Sequence, residues 1–274
     1  MHLLRLTAAI VATVVVVAAK PKHHTDPAAK YRINTAKLPG LDKDLADLPQ
    51  WSGEMPVGGD NTLFFWYTQA KDAKNDNLIF WHNGGPGCSS MEGLFEENGP
   101  YRSYDKGKTW KMNPHSWHNV GHMVYIDQPF GTGFSTNQTE VPNEDFVGNT
   151  MIGFYENFFK AFPEMRKKNM YITGESYAGM YIPYIAKHVL QHNEKKGANK
   201  INLKAITIGD GCVANGQIAL VGGLEYLITQ PWTLGNNATF IVSASMSRPS
   251  IDPLSCTYAR INLHLTICFQ LGRG

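Results

Sequence analysis

The segment Gly174-Glu175-Ser176-Tyr177-Ala178-Gly179 constrains this chain more than any other stretch. Before it, Asn169-Met170-Tyr171-Ile172-Thr173 reads as a short buried strand. After it, Ala178, Tyr181, Ile182, Ile185, Ala186 and Val189 recur at helical spacing. A serine between such a strand and such a helix sits on a sharp turn that lifts its hydroxyl clear of the backbone. Gly174 and Gly179 leave room for the turn and for close packing of helix on strand. The pattern makes Ser176 the candidate nucleophile.

A second turn lies earlier in the chain. Leu78-Ile79-Phe80-Trp81 is a short apolar strand that runs into His82-Asn83-Gly84-Gly85-Pro86-Gly87-Cys88-Ser89-Ser90. A glycine-rich turn after an early strand is where an α/β-hydrolase carries one of its two oxyanion donors; the other is the N–H that follows the nucleophile. Thr62–Tyr67 and Leu78–Trp81 flank a lysine- and asparagine-rich stretch and are expected to form an antiparallel hairpin. His122–Asp127 and Lys204–Gly209 read as further buried strands. From Asp145 to Phe162 the apolar residues Val147, Met151, Phe154, Phe158 and Phe162 lie on one helical face, as core rather than as a ligand box. Strands that alternate with helical stretches predict an α/β layered domain with a largely parallel sheet.

Composition excludes some functions. The chain is 43% apolar and 18% charged with a formal net charge of +2, and it has no basic stripe interleaved with aromatics, so a nucleic-acid partner is not expected. Arg5 followed by the small apolar run Thr7–Ala19 has the form of a secretory signal over residues 1–19. That run is too short for a stable membrane anchor. Residues 20–37, polar with scattered prolines, read as a loose leader or propeptide-like segment. A secretory route permits disulfides among Cys88, Cys212, Cys256 and Cys268, with three full pairings open. It also makes Asn137 and Asn237 candidate glycosylation sites.

Several longer blocks carry a resemblance. They are Asn83–Ser90, Glu97-Asn98-Gly99-Pro100-Tyr101-Arg102, Asn113-Pro114-His115-Ser116-Trp117, Tyr125–Ser135, Phe158–Glu164 and the Ser176 elbow. In this order they resemble the serine carboxypeptidases, of the carboxypeptidase Y and pheromone-processing kind. The likeness runs from about Leu38 to about Asn215 and more loosely to Leu227, so residues 38–227 are assigned to an α/β-hydrolase domain and 228–274 to a divergent tail. Relatives continue well beyond this point. The chain is therefore expected to be C-terminally truncated or aberrant, with its sheet incomplete and an unpaired edge left open.

The resemblance implies roles residue by residue. Ser176 is the catalytic serine, and Gly85 and Tyr177 supply the oxyanion-hole N–H groups. Trp81, Asn83, Glu97 and Glu175 bind the carboxylate at the substrate's C-terminus, each glutamate donating only while protonated. The family pairs the cysteine matching Cys88 with one far downstream, a partner this chain is expected to lack. His82 stands where the family usually has leucine, Cys212 where it commonly has an aromatic residue, and Asp210 where it usually has asparagine. The implied partner is a peptide or protein C-terminus, the reaction needs no metal or cofactor, and the location is secreted or vacuolar. A serine needs an imidazole base and an orienting carboxylate, in the order Ser, Asp, His in this fold. Of the histidines after Ser176, His188 and His192 lie on the helix leading away from it, and His264 with Asp252 is too closely spaced for the family pattern. Asp210 is read as a turn residue. The alternatives are an inactive relative that binds peptide ends and an acyltransferase of the same family.

Overall fold

Apolar residues on both faces of consecutive strands build one eight-stranded sheet. The structure, a computed structural model, describes residues 26–135 and 140–213 in full, and the backbone alone of Ala238–Met246 and Leu263–Leu271. In chain order the described elements begin with β1 (Gln50–Gly58), β2 (Asn61–Thr68) and β3 (Asn77–His82), preceded by the short helix α1 (Lys43–Asp47). A small ribbon, β4 (Tyr101–Arg102) with β5 (Lys111–Met112), lies apart from the sheet. Then come β6 (His122–Ile126), α2 (Glu144–Ala161), β7 (Asn169–Glu175), α3 (Ala178–Glu194), β8 (Leu203–Gly209), β9 (Ala238–Met246) and β10 (Leu263–Leu271).

The sheet order is β1-β2-β6-β3-β7-β8-β10-β9. Its centre, β6-β3-β7-β8, is parallel, as expected. Parallel strands are covered on both faces, which is why Leu78–His82 is an unbroken buried run rather than an alternating one. Strand alternation divides the side chains. Leu63, Phe65, Leu78, Phe80, Val124 and Ile126 face α2 and α3, while Ile79, Trp81, Met123 and Tyr125 face the other layer. Phe154, Phe158 and Phe162 are fully buried in the first of these cores, as a packing face. The Asn143 side chain caps α2 by accepting from the Phe146 N–H, and Pro163 follows the helix end.

Three expectations are corrected. β2 does not pair with β3. It forms its hairpin with β1 through Gly59-Asp60, and β6 inserts between β2 and β3. A strand as apolar as β3 needs a neighbour and a covered face on each side, and the polar stretch after β2 carries the chain across to that central place. The segment expected to be a loose leader is, from Asp26 onward, part of the fold: Tyr31 is 6% exposed and packs 5.2 Å from Phe65 and 6.3 Å from Phe162. Nor is the edge of β8 left open. β10 pairs with it antiparallel from Ile267 opposite Ile208 to Gln270 opposite Ala205, and β9 pairs with β10. Unpaired edge N–H and C=O groups invite such pairing. The sequence Leu263-His264-Leu265-Thr266-Ile267-Cys268-Phe269-Gln270-Leu271 has an apolar residue at every second position, a strand signal that reading by family blocks passes over.

Two buried histidines leave a mark on stability. His122 Nδ1 lies 3.0 Å from the Tyr67 hydroxyl and accepts from Ala70 N–H at 3.3 Å, and burial lowers its pKa to about 4. His82 is completely buried, neither ring nitrogen has a partner, and burial lowers its pKa to about 3. Both folded-state values lie below the ordinary 6.5, so the unfolded chain takes up protons first and stability is lost as pH falls below 6.5. A buried unsatisfied polar group costs about 1–3 kcal/mol. His82→Leu is therefore expected to raise the unfolding free energy by about 1–3 kcal/mol at pH 7 and to widen that gain at pH 4.5. Urea unfolding at the two pH values checks this, and a destabilised variant would contradict it.

Candidate active site

β7 ends at Glu175 and α3 begins at Ala178, so Ser176 occupies the turn between them. Its φ of +53° lies in the left-handed region that residues with a Cβ rarely adopt. The surroundings enforce it: Ser176 N–H donates to the Gly209 carbonyl at 3.0 Å, and Ser176 O accepts from Cys212 N–H and Gly179 N–H, each at 2.9 Å. The two elbow glycines permit the approach, since a Cβ at Gly174 would stand 2.2 Å from His82 O and one at Gly179 2.6 Å from Cys212 O. No acidic residue occupies the first turn of α3, which leaves the positive end of its dipole uncompensated beside the serine.

The glycine-rich turn after β3 packs directly on the elbow. A Cβ at Gly84 would lie 2.4 Å from Tyr177 N and 2.8 Å from Ser176 Cβ, so only glycine lets the turn come this close. Gly85, at φ +108°, follows. Tyr177 packs edge-on against Tyr181 at 5.1 Å and donates its hydroxyl to Glu144 Oε1 at 3.1 Å.

The four residues expected at the carboxylate site converge on Asn83. Its Oδ1 accepts from Trp81 Nε1–H at 2.7 Å and from Gly93 N–H at 3.2 Å, which fixes which way the amide faces. Its Nδ2 donates to Glu97 Oε1 at 2.7 Å and to Glu175 Oε1 at 3.3 Å. The two carboxyls thus share one donor. Burial, together with Glu175 and the nearby Glu92 and Glu96, raises the Glu97 pKa to about 7 against the opposing pull of the Asn83 bond. Burial, with Glu92 and Asp210, raises Glu175 as well.

One residue was missed as more than part of a block. Asp127, fully buried at the end of β6, accepts from Ser89 Oγ–H at 2.7 Å and Ser90 N–H at 2.9 Å through Oδ1, and from Phe134 N–H at 2.9 Å through Oδ2. Ser90 Oγ in turn accepts from Asn83 N–H at 3.1 Å. Asp127 therefore ties the Asn83 turn to the Gln128–Ser135 loop. A carboxylate that closes a buried strand just before Gln128-Pro129 was the available signal.

The imidazole candidates stand elsewhere. His188 Nε2 lies 3.0 Å from Asp145 Oδ1 at the start of α2, and His192 Nε2 lies 3.3 Å from the Asn199 carbonyl and 3.5 Å from Glu156. Among the described residues no imidazole is hydrogen-bonded to Ser176. Asp210 adopts φ +46° after β8, as a turn residue does. The backbone of His264 lies in β10, opposite Ser245, and its side chain is outside the described residues, as are Asp252, Asn137, Asn237 and residues 1–25. Among the described residues Cys88 and Cys212 are exposed free thiols, and the side chains of Cys256 and Cys268 lie outside the described residues.

A strained serine on a strand–turn–helix, faced by a glycine turn over a parallel sheet, defines a serine hydrolase site on an α/β-hydrolase fold. Residues 39–230 match the family described as serine carboxypeptidase, and the chain belongs to that family. It is 39% identical over 216 residues to a carboxypeptidase Y homolog of Arthroderma benhamiae, covering 73% of this chain and 42% of that protein. It is 42% identical over 209 residues to the pheromone-processing carboxypeptidase KEX1 of Vanderwaltozyma polyspora, covering 67% of this chain and 29% of that one. In structure it is similar to the prohormone-processing carboxypeptidase Kex1(delta)p of Saccharomyces cerevisiae, with a TM-score of 0.62, 33% identity, and coverage of 68% of this chain and 44% of the other. The chain thus spans less than half the length of these relatives.

Asp127→Asn places an NH2 group against one of the donors that the carboxylate now accepts. Hydrogen bonds to a charged group contribute about 1.5–3 kcal/mol each, so the variant should lose about 2–3 kcal/mol of unfolding free energy. It should also speed amide hydrogen exchange at Ser90 and Phe134. Wild-type exchange at both amides would remove Asp127 from this role.

Proposed function

We propose that the protein is a serine-type carboxypeptidase of the secretory route that cleaves the last peptide bond of peptides and proteins through a Ser176 acyl-enzyme. The observation that carries this reading is the sharing of Asn83 Nδ2 by Glu97 and Glu175 next to the strained serine. A serine endopeptidase needs no anchor for a free carboxylate beside its nucleophile, whereas an exopeptidase must hold the terminal carboxylate, and a neutral carboxyl can donate to it. Glu97 and Glu175, while protonated, donate to that carboxylate along with Asn83, and Trp81 keeps the amide turned the right way. Ser176 attacks the adjoining carbonyl, and the N–H groups of Gly85 and Tyr177 stabilise the developing oxyanion. Of the imidazoles after Ser176, His188 and His192 are bonded elsewhere and His264 with Asp252 does not have the family's spacing, so the reading rests on the nucleophile and the carboxylate site rather than on a triad. The signal-like residues 1–19 and the acceptor patterns at Asn137 and Asn237 support the secretory route. No helix among the described residues is long and apolar enough to cross a membrane.

Two measurements test the reading. A fluorophosphonate probe should label Ser176, seen as an adducted peptide by mass spectrometry, and labelling that persists in Ser176→Ala would sink the assignment. Capture of a carboxylate by protonated Glu97 should weaken as pH rises through about 7, because the ionised acid then repels the ligand. Affinity for an acetylated dipeptide should therefore fall between pH 6 and 8, and its amide should show little change. Glu97→Gln should flatten the profile, since an amide donates without a proton. A profile left intact by that substitution counts against the capture mechanism.

A further inference from the structure

On the face of the sheet away from α2 and α3, the segment that carries β4 and β5 encloses an open cleft of about 500 Å³ lined by Phe95, Glu96, Arg102, Ser103, Lys106 and Trp110. That volume falls in the range of small-molecule sites, about 300–1,000 Å³. Its floor is aromatic: the half-buried rings of Phe95 and Trp110 lie 5.3 Å apart at 53°. Its rim carries two cations, Arg102 and Lys106. Arg102 is tethered by one Nη to the Glu97 carbonyl and keeps its remaining N–H groups.

Lys106 stands on a loop built around its neighbour. Asp105 Oδ1 accepts from Ser103 Oγ–H and Thr109 N–H, each at 2.9 Å, and Oδ2 accepts from Thr109 Oγ1–H at 2.7 Å. Ser103 Oγ also accepts from Gly107 N–H at 2.7 Å. Asp105 is thereby occupied, and Lys106 forms no ion pair with any described residue. Lys106 has φ +62°, and the other described non-glycine residues at positive φ are Ser176 and Asp210, both at the elbow. Such conformations are unfavourable alone and persist where the surroundings over-determine them. The result is an exposed lysine without an ion-pair partner among the described residues, on a loop whose backbone is held, at the mouth of an aromatic-floored cleft.

We propose that this cleft is a second ligand site, for an organic monoanion that carries an aromatic ring, such as an aromatic carboxylate. The anion bridges Lys106 and Arg102, and the ring lies on Trp110 and Phe95. Two cations face one rim carboxylate, Glu96, so a single negative charge is matched while a polyanion meets repulsion from Glu96. The site uses neither Ser176 nor the Asn83 amide, and it stands whether or not the carboxypeptidase reading holds.

Isothermal titration of the full chain with 2-naphthoate tests the proposal. Saturable binding of one equivalent is expected, with perturbation of the Trp110 indole N–H in NMR spectra. The uncharged 2-naphthylmethanol should bind about tenfold more weakly or worse, as loss of a charge-assisted contact predicts. Lys106→Asn, a residue that tolerates the left-handed backbone, should weaken naphthoate by a similar factor. Absent binding, equal affinity for the alcohol, or unchanged affinity in Lys106→Asn would each overturn the proposal. So would inorganic phosphate binding at the same strength, which would reduce the cleft to a cationic patch. The comparison of the two ligands on the unmodified chain decides the matter even if the variant fails to fold.

Discussion

The Ser176 peptide is the constraint on which the site depends. A left-handed φ at a residue with a Cβ is unfavourable alone, and here it is held from three directions: the Gly209 carbonyl on one side, and the Cys212 and Gly179 amides on the other. Each of those anchors needs its own support. Gly209 is in place because β8 runs parallel to β7 with Gly209 opposite Glu175, and Gly179 because α3 packs on the sheet without a side chain to separate them. Two parallel strands, the turn after the second of them and one helix therefore converge on one dihedral angle. The same packing brings Gly84 against Tyr177 N, so the turn after β3 is positioned by the elbow itself.

The acid pair at Asn83 shows a contest between two effects. Burial and the neighbouring carboxylates favour the neutral carboxyl, whereas the Asn83 hydrogen bonds favour the ionised one. For Glu97 burial wins, since its pKa is carried up to about 7 although the 2.7 Å bond from Asn83 opposes it. Asn83 cannot turn to offer its oxygen instead, because that oxygen already accepts from Trp81 and Gly93. The amide is thus a fixed donor between two acids whose pKa values are both raised, and Asp127, through Ser90, keeps its backbone in register.

Much of this was legible in the sequence wherever local chemistry decides structure. The Ser176 elbow, the glycine turn and the helix from Glu144 to Ala161 follow from spacing, close-approach glycines and an apolar stripe, and each lies within a residue or two of its expected place. The gathering of Trp81, Asn83, Glu97 and Glu175 came from family resemblance, since residues up to 92 positions apart carry no local signal of contact. Strand pairing was the part least available. β2 and β3 look like a hairpin from their spacing, and only the demand of β3 for neighbours on both sides places β6 between them. Tyr31 looked like leader because its partners, Phe65 and Phe162, are distant in sequence. The strand β10 has an apolar residue at every second position from Leu263 to Leu271, broken as an alternation only by Cys268, but lies outside the blocks that carry the family resemblance.

Core and site place opposite demands on pH, and their difference defines where the fold and the chemistry agree. His82 and His122 stay neutral in the folded chain down to about 3 and about 4, so acid draws stability away progressively below 6.5 while the native state still resists protonation. Glu97 runs the other way. Its folded pKa lies above the ordinary 4.5, so its contribution is present at low pH and lost as pH climbs toward about 7. Below about 4 His122, and below about 3 His82, takes up a proton inside the core, and above about 7 Glu97 carries charge beside the position that a bound carboxylate would occupy. The interval between is set by burial at both ends: of an imidazole that has no partner, and of a carboxyl that shares its partner with another.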